Sequence, residues 1–90
     1  LDNDGNLQNS NIEDETIQIF KNINAILNEV NMTFKNIVKS TIFLKNMDDF
    51  STVNTIYAKH FKSNPPARET IEVSRLPKNV NIEISVIAVK

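Results

Sequence analysis

Residues 64–73 read Asn-Pro-Pro-Ala-Arg-Glu-Thr-Ile-Glu-Val, NPPARETIEV. Two adjacent prolines exclude a helix here. Proline has no N–H to donate, and it pushes the residue before it towards extended backbone. The alternation of β-branched and charged residues after Pro66 predicts a strand from Arg68 to Val73. Arg68, one of only two arginines in the chain, stands at the join. A stiff elbow thus delivers a scarce and permanently charged side chain to the mouth of a strand.

Upstream of the elbow the chain reads as a helix. Phe50, Val53, Tyr57 and Phe61 form an apolar stripe at helical spacing, and Asn46 is its cap candidate. Before it, Asn36 to Lys45 (NIVKSTIFLK) is β-branched and alternating, with Val38, Ile42 and Leu44 on one face and Lys39, Thr41, Phe43 and Lys45 on the other. Thr33 can cap the short connector MTFKN. From Asn11, Thr16, Phe20, Ile23, Leu27 and Val30 recur every three or four residues, joined by Ile19 and Ile26. Ser10 or Asn11 caps that helix, and Glu13, Asp14 and Glu15 complement its dipole. Residues 1–10 read as a polar turn around Gly5, the only glycine. Downstream of the elbow, SRLPKN is a turn and Asn81 to Val89 a second alternating strand. The order helix, strand, helix, strand, strand predicts an α+β sandwich, two helices on one face of a sheet.

Strand periodicity assigns faces. Placing Ile71, Val73, Ile82, Ile84, Val86 and Ala88 against the helices leaves Arg68, Thr70, Glu72 and Glu83 on the opposite face. Lys39, Thr41, Phe43, Ser85, Ile87 and Val89 share it. That face is too apolar for water and too charged for a dry core, which predicts a subunit interface containing polar sites.

Ninety residues make one domain at most, with a core so small that a partner subunit would help to stabilise it. A net charge of −1 argues against an electrostatic grip on nucleic acid. Without cysteine there is no disulfide, thiolate nucleophile or thiolate-bound metal, and one histidine makes a poor zinc site or catalytic triad. A single glycine builds no phosphate loop. No apolar run approaches the roughly 20 residues that span a bilayer.

Arg68 and Glu83 share that helix-free face, and two readings of the pair are open. One reading is a cross-strand ion pair worth about 0.2–1 kcal/mol. The other is a site for a small carboxylate, which the planar guanidinium fork can bind bidentately while the glutamate handles a proton or a water. Thr70, two residues beyond Arg68, shares its face; it is either a ligand contact or simply a good strand former. Asn54 lies off the stripe of its helix and is expected in solvent. His60, at the end of that helix, suits the negative end of the dipole.

Together NIVKSTIFLKNMDDFSTVNTIYAKHF and NPPARETIEVSRLPKNVNIEISVIAVK closely resemble the YjgF-type Rid family, the reactive-intermediate deaminases. The resemblance implies a chorismate-mutase-like fold of two helices on one face of a mixed β-sheet. It further implies a homotrimer with ligand clefts between subunits, no metal or organic cofactor, and hydrolysis of 2-imino acids or their enamine tautomers to 2-keto acids and ammonia. It makes Arg68 the carboxylate clamp and Glu83 the water-positioning acid, with Thr70 and Asn54 as substrate-binding residues. The family's pattern begins with N-terminal strands that carry a ligand-contacting tyrosine and a Ser-Gly-Gln-like segment, and this sequence starts after them. Glu69 stands where many deaminating members have serine or threonine. A cytoplasmic protein is expected, with organellar targeting left open by the start at Leu1. Ribonuclease or translation-inhibitor activity and a non-catalytic ligand-binding trimer are the alternative functions.

Overall fold

The computed structural model describes residues 11–90. The turn expected around Gly5, and Ser10 as a cap, lie outside them. Helix α1 spans Ile12–Glu29. Asn11 caps it, its Oδ1 accepting from the backbone N–H groups of Glu13 (3.0 Å) and Asp14 (3.1 Å). The acidic residues Glu13, Asp14 and Glu15 occupy the first turn, where the helix dipole favours negative charge. Thr33 caps a short 3₁₀ turn at Phe34–Asn36, and strand β1 follows at Ile37–Leu44. Asn46 caps a second 3₁₀ turn, Met47–Asp49, which runs directly into α2, Phe50–His60. Strand β2 is Ala67–Glu72, beginning where the Pro65-Pro66 elbow releases the chain. A last turn at Pro77–Asn79 leads to β3, Ile82–Ala88.

The sheet has the order β2-β1-β3, with β1 parallel to β2 and antiparallel to β3. A parallel pair needs a long crossover, and α2 supplies it. Both helices cover one face, as an α+β sandwich requires. Phe20 from α1, Val53, Ile56 and Tyr57 from α2, Ile42 and Leu44 from β1 and Ile82 from β3 form the core. Ile42, Leu44 and Val53 are wholly buried, each side chain contributing about 1.5–3 kcal/mol by leaving water. Glu15 ties the start of α1 to the start of β3, its carboxylate accepting from Asn81 N (3.1 Å) and Asn81 Nδ2 (2.6 Å).

Three expectations need correction. Val38 does not share the buried face of β1. The pairing with β3 slips between Ile37 and Lys39, so Val38 is the extra residue of a bulge and is 47% exposed, whereas Ile37 is buried. Val30 and Ile26 are exposed, because Val30 is already the C-cap of α1 and Ile26 lies beside the Phe20–Ile23–Leu27 stripe. The third correction concerns the faces of β2. Its register pairs Ser40 with Arg68, Ile42 with Thr70 and Leu44 with Glu72. Ser40, Ile42 and Leu44 are fully buried under the helices, so Arg68, Thr70 and Glu72 lie on the helix side of the sheet. Glu69 and Ile71 point the other way: Glu69 reaches Lys39 at 3.6 Å, and Ile71 is 42% exposed. Edge strand β2 has no buried residue, so the rule that places apolar side chains inward loses its force there.

Candidate functional site

Arg68 is set at the second position of β2, against α2. The helix presents Phe50, Asn54 and Tyr57, four and then three residues apart, so all three fall on one stripe. Arg68 Nη1 donates to Asn54 Oδ1 at 2.5 Å. The guanidinium carbon stands 4.8 Å from the centre of the Tyr57 ring and 5.5 Å from that of Phe50. The aliphatic stem crosses apolar surface while the charged head stays in reach of water, the usual compromise of a long cationic side chain. An open groove of about 430 Å³ borders it, walled by Tyr57, Phe61, Pro65 and Pro66. Only one N–H of the fork is used by Asn54. The rest can grip an oxyanion bidentately.

Asn54 is therefore not the solvated side chain its place off the apolar stripe suggested. It is half-buried and engaged with Arg68. Thr70 is half-buried on the same side of the sheet as Arg68, two residues further along. Glu83 is elsewhere. It pairs with Phe43, while its neighbour Ile82 is packed into the core, so Glu83 emerges exposed on the helix-free face. Arg68 and Glu83 do not share a face as expected. They are two strands apart, roughly 10 Å at the usual strand spacing, and on opposite sides of the sheet.

His60 is the last residue of α2, as expected. Its ring stacks on Phe20 at 4.5 Å and lies 4.8 Å from Phe34. Burial, and then the charge of Lys59, hold its pKa below the ordinary histidine value. His60 thus ends α2 with its ring packed on two aromatic neighbours. Among the described residues no three acidic or histidine side chains gather in a cluster that could hold a metal ion, and no helix is long and apolar enough to cross a membrane. Phe50 and Tyr57 are the site residues that sequence reasoning missed. Both belong to the apolar stripe and pack in or against the core, and their spacing about Asn54 puts all three on one side of the helix.

The family described as endoribonuclease L-PSP matches residues 1–90. A RutC family protein of Saccharolobus solfataricus is 48% identical over 80 residues, 89% of this chain and 64% of that protein. The human 2-iminobutanoate/2-iminopropanoate deaminase is 42% identical over 86 residues, 96% of this chain and 63% of that protein. The crystal structure of Escherichia coli TdcF with bound serine superposes with a TM-score of 0.84 at 32% identity, covering 89% of this chain and 65% of that one. The chain thus spans a little under two thirds of the length of these relatives. It belongs to the endoribonuclease L-PSP family, the group that also carries the RutC, YjgF and Rid names.

Proposed function

We propose that this chain is the major part of a cofactor-independent deaminase. It hydrolyses small 2-imino acids, such as 2-iminobutanoate and 2-iminopropanoate, or their enamine tautomers, to 2-keto acids and ammonia. The observation that carries the proposal is the Arg68 fork, held on α2 at the edge of an open groove with most of its donors unused among the described residues. The family supplies the substrate class. A human relative bears the name of this deaminase, and a bacterial relative holds serine, itself a small amino-acid carboxylate.

Arg68 clamps the substrate carboxylate, and Thr70 and Asn54 line its approach. Glu83 takes one proton from a water as the water oxygen bonds to the imine carbon, and the imine nitrogen gains a proton. The resulting carbinolamine then collapses: Glu83 takes the hydroxyl proton and passes it to the amino nitrogen, the carbon–nitrogen bond breaks, and ammonia leaves as the ketone forms. Imines hydrolyse in water unaided, so general acid–base help of about 10²–10⁴-fold, with orientation added, is sufficient.

Arg68 and Glu83 stand on opposite sides of one sheet, so a site that uses both joins two copies of the chain. The helix-free face favours such an assembly. It exposes Ile71 and Ile87, 42% and 55% accessible, beside half-buried Phe43. A sheet face of this kind calls for a cover. A homotrimer with three clefts, each taking Arg68 from one protomer and Glu83 from another, meets both requirements.

The test is to generate the imine with a threonine dehydratase in the presence of a chemical imine trap. A deaminase suppresses the trapped adduct and speeds release of 2-oxobutanoate. Undiminished adduct would favour a binding protein. RNA cleavage that survives repurification and falls in Arg68→Ala would favour the nuclease function.

A further inference from the structure

The guanidinium of Arg68 meets two ring faces and one carboxamide, all presented by α2. Binding a carboxylate needs the fork but not this support. An exposed arginine on an edge strand samples many rotamers, and losing them on binding weakens affinity. Here that freedom is already restricted. Tyr57 is 4% exposed and is itself fixed by the edge of Phe20 at 6.0 Å and by Phe61 at 4.5 Å. A floor anchored in the core does not shift with its load. A ring face attracts a cation from one side, and the Asn54 carboxamide sets the rotation of the plane. The Tyr57 hydroxyl is buried and has no hydrogen-bond partner among the described residues, and it is the ring that faces Arg68.

We propose that Phe50 and Tyr57 are positioning residues: they form an aromatic floor that, with Asn54, pre-orients Arg68 for bidentate capture of the substrate carboxylate. The proposal rests on the reading of Arg68 as the clamp. It predicts an effect on binding and little on the chemical step, because the two rings act through Arg68 and neither can supply or accept the reacting protons.

The experiment measures steady-state kinetics with enzymatically generated 2-iminobutanoate, and the affinity for 2-oxobutanoate by calorimetry, in the assembled protein. Tyr57→Leu and Phe50→Leu should each raise KM and the Kd for 2-oxobutanoate about 3- to 30-fold, with kcat within about twofold of the parent. Tyr57→Phe should restore both constants to within about threefold of the parent, since the ring is kept. If Tyr57→Leu fails to fold, half-buried Phe50→Leu carries the test. Unchanged KM and Kd in the folded leucine variants would overturn the floor, as would a fall in kcat with KM unmoved. Arg68→Ala is the control. If it binds 2-oxobutanoate like the parent, the clamp itself is wrong; if it loses binding while the leucine variants keep theirs, only the floor is wrong.

Discussion

Replacing Arg68 by lysine is expected to lower kcat/KM by about 10- to 150-fold although the charge is kept. A guanidinium offers two parallel N–H groups to a carboxylate, whereas an ammonium offers a point charge. Losing one hydrogen bond to a charged group costs about 1.5–3 kcal/mol, which converts to that range. The local structure sharpens the expectation. Lysine cannot donate to Asn54 Oδ1 and lie flat on Tyr57 while it also bridges both oxygens of a substrate. Steady-state kinetics on 2-iminobutanoate check it, and turnover within twofold of the parent would remove the clamp.

Glu83→Gln is expected to lower kcat by about 10²–10⁴-fold with KM little changed. Glutamine keeps the length and hydrogen-bonding shape of the side chain but cannot accept the proton of the attacking water. Glu83 is exposed in the protomer, so the substitution should leave its folding stability within about 0.5 kcal/mol. A retained kcat would mean that Glu83 only contributes to the interface. The two variants separate binding from chemistry: the arginine variant fails chiefly to hold substrate, the glutamine variant to turn it over.

The elements were legible where local rules decide. After Pro65 and Pro66 β2 starts at Ala67, within a residue of the expected place, whereas α2 has already ended at His60, upstream of both prolines. Asn11, Thr33 and Asn46 each cap the turn that follows. Buried Phe20, Ile42, Leu44, Val53 and Ile82 sit where periodicity put them. The β2 face assignment failed because a strand's pleat gives alternation but not its sign. Sign comes from register, and register on an edge strand is set by neighbours rather than by its own apolar residues. Ile71 was placed inward because it is apolar. In the fold Arg68 takes the inward side and makes it tolerable by lying on aromatic rings. Asn54 was misjudged for the same reason: its partner became visible only once Arg68 was on the helix side. The bulge at Val38 had no local signal, since neither glycine nor proline marks it.

Arg68 and Glu83 lie on opposite faces of the sheet, so the proposed use of both requires a cleft shared between protomers. Arg68→Ala and Glu83→Ala chains should each be inactive alone. Mixed at equal amounts and reassembled, they should recover about a quarter of the parental activity in a closed symmetric ring, since each cleft needs an intact arginine from one neighbour and an intact glutamate from the other. Activity no higher than that of the separate variants, in mixed oligomers verified by mass, would show that no cleft is shared and would contradict the proposed site.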